Sequence, residues 1–237
     1  MSCLLHIETS TMVCSVALSV DGDVVFERIS FEGSSHATLL GVYIEEAIAF
    51  LKKMHYQLDA IALSSGPGSY TGLRLGTSMA KGLCMGWDVP LIAVPTLQLM
   101  ALQAIRRYGK DDCLYCAMLD ARRMEVYSAI YDAKLSAIRD TSADIVTHEL
   151  YQPFLERGVV CFLGNGSTKC RTVIASDQAV FLDNIHPLAP DMVSLAEKSL
   201  LLMKFEDTAY FEPFYLKEFM ATTPKTYDKI FNPRHHS

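Results

Sequence analysis

Ser64-Ser65-Gly66-Pro67-Gly68-Ser69-Tyr70-Thr71-Gly72-Leu73-Arg74-Leu75-Gly76-Thr77-Ser78-Met79-Ala80-Lys81-Gly82-Leu83 is the stretch on which the reading of this chain turns. It follows Ala60-Ile61-Ala62-Leu63, an unbroken apolar run of the kind that forms a buried strand. Gly66-Pro67-Gly68-Ser69 fits a type II turn, with proline where φ is fixed and glycine where φ is positive. Ser69 or Thr71 then caps a helix predicted to run to about Trp87. A strand, a glycine turn and a helix N-terminus together present free N–H groups that suit an anion. The same glycines equally let a helix lie close on a sheet, and both readings stand at this point. The stretch is not a Walker loop, and Thr71 stands where the Rossmann pattern has its third glycine.

Upstream, Cys3 to Thr9, Cys14 to Val20 and Val24 to Phe31 read as three strands, with Asp21-Gly22 a strong hairpin signal. The turn Glu8-Thr9-Ser10-Thr11 offers a carboxylate and three hydroxyls to a phosphate or metal-phosphate, unless it is a plain polar turn. Ser34 is placed to cap a helix to about Met54. On it Ala37, Leu40, Ile44, Ala47, Ile48 and Leu51 form one apolar face, and Leu39, Tyr43 and Phe50 a second. Another element or a partner must cover that second stripe. The next helix shows the same surplus. Leu73, Ala80, Cys84 and Trp87 mark one side, and Gly72, Gly76, Met79, Leu83 and Gly86 the adjacent side. Only Arg74, Ser78, Lys81 and Met85 look wettable. Each helical glycine costs about 1 kcal/mol relative to alanine, so Gly76, Gly82 and Gly86 predict compensating packing and a helical interface.

Downstream, Pro90 to Val94 is a strand, and Pro95 or Thr96 starts a helix to about Tyr108. The basic, turn-rich stretch after it is the expected division, giving domains 1–108 and 109–237. Strands and helices that alternate to this point predict an α/β layered sheet with a meander edge. The second half repeats the theme more weakly. Cys113 to Leu119 and Met124 to Tyr131 read as paired strands joined by Asp120-Ala121-Arg122-Arg123, and Val159 to Leu163 as another strand. Gly164-Asn165-Gly166-Ser167 is expected to feed a helix from about Thr168, and Pro190 or Asp191 to open one through about Lys204. Residues between Tyr131 and Val159 receive no assignment. The C-terminal forty, rich in aromatics from Phe211 to Phe231, are expected to be packed but irregular, with a frayed end at His235-His236.

Composition narrows the function classes. A net charge of −6 argues against free-standing, tight nucleic-acid binding, which calls for a basic footprint. No stretch reaches the roughly 18 apolar residues of a membrane helix, and the N-terminus reads as a strand rather than a leader, so the cytoplasm is expected. Seven scattered cysteines fit a reducing compartment. Cys113 and Cys116 match C-x-x-C, but three residues apart on a strand they point to opposite faces and are not a redox or zinc pair.

Four stretches in order carry a resemblance. They are Leu5-His6-Ile7-Glu8-Thr9-Ser10 with Cys14-Ser15-Val16-Ala17-Leu18, then Ser65 to Gly76, Pro90-Leu91-Ile92-Ala93-Val94-Pro95-Thr96-Leu97, and Leu119-Asp120-Ala121-Arg122-Arg123-Met124-Glu125-Val126-Tyr127. The chain resembles the TsaB (YeaZ) family of tRNA threonylcarbamoyladenosine biosynthesis, densely from about residue 3 to 131 and thinly afterwards, at Phe211 to Lys217. The resemblance implies a two-lobed, actin-like and Hsp70-like (ASKHA) fold with mixed sheets flanked by helices and a reduced second lobe. It implies a non-catalytic scaffold that binds and activates a TsaD-type transferase, which modifies the adenosine beside the anticodon. A TsaE-type ATPase joins the complex, tRNA is met only through the complex, and a homodimer forms through first-lobe helices. Where TsaD-like proteins carry two metal-binding histidines, this chain has Thr96 and Met100, and it has Glu8 where aspartate is usual. The implied interface residues are Leu39, Tyr43, Phe50, Gly72, Gly76, Met79, Leu83 and Gly86. Gly66, Gly68, Ser69 and Thr71 are candidates for weak or shared contact with ATP or ADP, with no tightly bound cofactor. The alternative is a small-molecule kinase or ATPase of the same fold.

Overall fold

The computed structural model describes residues 1–33 and 36–216. Strands β1 (Cys3–Glu8), β2 (Cys14–Val20) and β3 (Asp23–Ser30) form the expected meander. Asp21 (φ 48°) and Gly22 (φ 87°) both take the left-handed conformation that a tight hairpin demands. Helix α1 (His36–Lys53), β4 (Ala60–Gly66), α2 (Tyr70–Trp87), β5 (Leu91–Pro95) and α3 (Thr96–Tyr108) follow. The first sheet has the order β3-β2-β1-β4-β5, with β1, β4 and β5 parallel and β2 antiparallel to its neighbours.

The second half repeats this plan. Strands β6 (Leu114–Asp120), β7 (Glu125–Tyr131) and β8 (Ala137–Ile145) form a meander, followed by α4 (His148–Leu155), β9 (Val160–Leu163), β10 (Ala179–Leu182) and α5 (Val193–Leu201). The order β10-β9-β6-β7-β8, with β6, β9 and β10 parallel, is the first sheet's order with the corresponding strands in the same places. Two mixed five-stranded sheets of one topology, flanked by helices, constitute the ASKHA architecture. The second lobe is reduced in its helices, because α4 has 8 residues and the β9–β10 link holds a 3-10 turn of 3 residues, Thr168–Cys170.

The third helices cross over. Leu97, Met100, Ala101 and Ala104 of α3 pack in the core of the second sheet, with Tyr115, Ala117 and Leu163. Met192 and Ala196, at the start of α5, pack instead with Leu4, Ala60, Ala62 and Ile92 of the first sheet. The division expected at 108/109 thus falls between elements along the chain, while packing runs across it. The far face of the first sheet carries α1 and α2 through Leu40, Ile44, Leu51, Ala80 and Cys84.

Several expectations are corrected. The turn at Gly66-Pro67 is not type II. Its peptide bond is cis, and the positive φ (102°) falls on Gly66 instead of Gly68. The helix expected from Thr168 is only the 3-10 turn. The helix expected to reach Lys204 ends at Leu201, with exposed Met203 at φ 51° beyond it. Ala37 is exposed and outside the buried face of α1, whose core residues are Leu40, Ile44, Ala47 and Leu51. Lys81 is half-buried and bound to the chain, outside the wet arc of α2. The caps expected from Ser34, and the tail from Lys217 with His235-His236, lie outside the described residues.

Candidate functional site

Helix α2 starts at Ser69, whose hydroxyl accepts from the Gly72 N–H at 3.3 Å and whose own N–H donates to the Ser10 carbonyl at 2.6 Å. The Thr9 hydroxyl donates to the Gly72 carbonyl at 2.8 Å. The β1–β2 turn thus lies flat on the first two turns of the helix. A Cβ on Gly68 would overlap the Ser10 carbonyl oxygen, one on Gly72 the Thr9 carbonyl oxygen, and one on Gly76 the Thr9 hydroxyl. Close approach explains these three glycines. Gly82 and Gly86 have open space, so the packing expected to offset their cost does not come from the described residues.

A C-terminal strap closes the loop from the other side. Glu206 bridges to Leu91 of β5, Lys81 Nζ donates to the carbonyls of Ala209 at 2.9 Å and Phe211 at 3.2 Å, and the Phe214 N–H donates to Ser65 O at 2.7 Å. A Cβ on Gly66 would sit 2.9 Å from the Phe214 carbonyl oxygen. The Tyr215 ring lies 4.8 Å from that of Tyr70, over which Arg74 stacks at 4.2 Å. Of the four candidate nucleotide contacts, Gly66 is buried beneath the strap, Gly68 is held against Ser10, and only Ser69 and Thr71 are exposed. No sequence signal tied the strap to the loop.

At the carboxyl ends of the parallel strands stands a buried polar group. Glu8 is fully buried and accepts from the Ser10 N–H at 2.6 Å and the Ser10 hydroxyl at 2.5 Å, both on Oε1. Its Oε2 and the Thr96 hydroxyl are buried with no hydrogen-bond partner among the described residues, and the buried Ser64 hydroxyl lies beside the carboxylate. Burial pushes the Glu8 carboxyl up, against the hydrogen bonds from Ser10 and Ser64, which favour the anion. Met100 is fully buried in the second sheet's core, where its Cε fills the space a Cβ on Gly164 would need. Among the described residues no three His, Cys, Asp or Glu side chains gather as metal ligands. The Asp120–Arg123 turn is tied down from the β9–β10 link: Lys169 Nζ donates to Asp120 Oδ1 at 2.5 Å and to the carbonyls of Arg123 and Glu125. Cys113 and Cys116 diverge into the cores on opposite faces of the second sheet.

The residues proposed for an interface divide. Leu39, Tyr43, Phe50, Met79 and Leu83 are half-buried, and Phe50 packs at 5.7 Å on Phe26 of β3, so the chain itself covers part of the second α1 stripe. Gly72 and Gly76 face the Thr9 turn inward. The outward stripe of α2 runs through Thr71, Leu75, Ser78, Met79, Gly82 and Gly86, spaced to fall on one side of a helix. Gly41 of α1 also faces open space.

A family model described as TsaD: tRNA N6-adenosine threonylcarbamoyltransferase matches residues 31–222. The tRNA threonylcarbamoyladenosine biosynthesis protein TsaB of Escherichia coli (strain K12) is 32% identical over 92% of this chain and 96% of its own length. The chain belongs to the TsaB family. The Bacillus subtilis (strain 168) protein of the same name is 26% identical over 82% of this chain and 95% of its own. In structure, YeaZ from Pseudomonas aeruginosa superposes with a TM-score of 0.72 at 27% identity, covering 91% of this chain and all of that one. Membership places the chain in tRNA threonylcarbamoyladenosine biosynthesis. No helix among the described residues is long and apolar enough to cross a membrane.

Proposed function

We propose that the chain is a non-catalytic subunit that binds a TsaD-type transferase and promotes its threonylcarbamoylation of the tRNA adenosine beside the anticodon. The observation that carries this reading is the outward stripe of α2. Gly82 and Gly86 have no atom within 4 Å of a would-be Cβ, Leu75 and Met79 are half-buried beside them, and Met85 at 78% exposure flanks them. Glycines that weaken a helix and meet no other described element of their own chain suit close approach by a partner's helix. The same stripe serves self-association, in competition with the transferase. Thr96 and Met100 support the non-catalytic reading, since a thioether and a neutral hydroxyl are poor ligands for hard or borderline metal ions. In this reading a TsaE-type ATPase joins the complex in the cytoplasm, and the exposed Ser69 and Thr71 contribute to a nucleotide site shared with the partner. A kinase or ATPase acting alone is disfavoured, because Glu8 is buried on Ser10 and Thr9 lies flush with α2.

Mixing the chain with a TsaD-type transferase and following complex formation by gel filtration, with modification of tRNA as the second readout, tests this reading. A complex that stimulates modification, and that Gly86→Arg abolishes without lowering the melting temperature, is the expected result. No complex, or equal modification without this chain, overturns it.

A further inference from the structure

Away from α2 and its strap, a cleft of ≈ 560 Å³ lies among the end of β3, the last turns of α3 and the segment from Asn184 to Asp191. That size falls in the roughly 300–1,000 Å³ range of small-molecule sites. At its edge Phe31 is 59% exposed, and its ring meets that of His186 edge-on at 5.5 Å. Arg106 and Arg107 both line the cleft. Each is steadied by a neutral acceptor: Arg106 Nη2 donates to Ser194 Oγ at 2.6 Å and Arg107 Nη1 to the Asn184 carbonyl at 2.9 Å. Among the described residues neither makes an ion pair, and each guanidinium keeps most of its five N–H donors.

The carboxylate in the cleft wall, Asp191, accepts from Gln103 Nε2, another lining group, at 2.6 Å. Burial pushes its carboxyl up, and nearby Glu27 adds to this against the Gln103 hydrogen bond and the two arginines. The cleft therefore combines two guanidiniums that make no ion pair among the described residues with an exposed aromatic ring. A bare anion would use only the first and an apolar ligand only the second. A nucleotide uses both, with phosphate on arginine and base on an aromatic face.

We propose that this cleft binds a nucleotide, its phosphate held by Arg106 and Arg107 and its base against Phe31. The nucleotide is either free or one unit of a single strand, and the chemistry of recognition is the same. The inference does not depend on the transferase-binding reading.

Calorimetric titration of the full chain with AMP, UMP, inorganic phosphate and a short mixed-sequence oligoribonucleotide tests it. Saturable nucleotide binding is expected, weakened at least about tenfold by combined Arg106→Gln and Arg107→Gln. Phe31→Ala is expected to weaken AMP about fivefold while leaving inorganic phosphate unchanged. Tighter binding of AMP than of the oligonucleotide identifies a free ligand, and the reverse order a strand. Should the arginine variant unfold, the Phe31→Ala comparison still decides, because that side chain is mostly in solvent. Absence of binding by both AMP and the oligonucleotide, or affinities unchanged in the variants, overturns the proposal.

Discussion

The Thr9 hydroxyl and the Gly72 carbonyl oxygen are joined by a 2.8 Å hydrogen bond, so that the β1–β2 turn and the first turn of α2 behave as one piece. The contact is possible because residue 72 has no Cβ. Gly72→Ala should therefore lower stability by at least about 2 kcal/mol, as overpacking against backbone does. Gly82→Ala, in open space, should raise it by up to about 1 kcal/mol through helix propensity alone. Chemical denaturation of both variants checks the pair, and equal effects would contradict the different packing assigned to the two glycines.

His6 and Glu8, on the same face of β1, should give opposite pH signatures. Full burial pulls the His6 imidazole from 6.5 down to about 3. Its folded pKa lies below its unfolded one, so its contribution is complete above pH 6.5 and is lost as pH falls from there toward about 3. The stability difference between the parent and His6→Gln should then change by about 1.4 kcal/mol per pH unit within that window. Glu8 is raised by burial, so its cost is absent below its ordinary value of 4.5 and grows as pH rises above it. Glu8→Gln should gain stability relative to the parent as pH rises above 4.5. Parallel denaturation curves at every pH would refute both assignments.

Lys81 should govern the strap. Its ammonium is shared by the carbonyls of Ala209 and Phe211, the latter three residues before the Phe214–Ser65 backbone bond. Lys81→Ala should speed amide exchange at Phe214 about tenfold, the effect of losing about 1.4 kcal/mol of local stability, and leave β1 protection unchanged. Exchange measured by mass spectrometry or NMR would show it. Uniform acceleration would mean that Lys81 supports the whole fold instead.

Asp144 collects Arg139, Ser128, Ser142 and Tyr151 in one buried network, with the Arg139 fork at 2.6 and 2.9 Å. Asp144→Ala should cost about 3–5 kcal/mol, because Arg139 keeps its charge in a largely buried place. Combining it with Arg139→Met should recover much of the loss. A double variant as unstable as Asp144→Ala would mean that the unpaired arginine is not the source of the cost.

The first lobe was legible because its elements have strong local signals: apolar runs in β1 and β4, Asp21-Gly22, and Ser69 ahead of α2. The missed pieces are those whose pattern is set by long-range contacts. β8 is an edge strand of Ala-Ile-Arg-Asp-Thr-Ser-Ala-Asp-Ile, with Asp144 turned inward onto Arg139, so no apolar alternation reveals it. α4 contains Pro153, which reads as a breaker. β10 has 4 residues and stands only by pairing with β9. At the glycine loop the residues were visible but their reasons were not. Gly68 and Gly72 answer to Ser10 and Thr9, some sixty residues earlier in the chain, and Gly66 to Phe214, far downstream. Local turn chemistry carries no trace of such partners.

The crossing of α3 and α5 has a consequence for how the polypeptide is made. Through Met192 and Ala196 the first sheet takes part of its inner cover from the last described helix, while α3, which touches that sheet through Leu99, sets Leu97, Met100, Ala101 and Ala104 on a sheet not yet translated. During synthesis Leu4 and Ile92 can meet Leu99 of α3 first, and gain Met192 and Ala196 only when residues 189–201 leave the ribosome. The nascent chain therefore completes neither lobe in turn. The packing of both is complete only once α5 has been made, so a chain that ends between the halves leaves the first sheet without the cover of Met192 and Ala196.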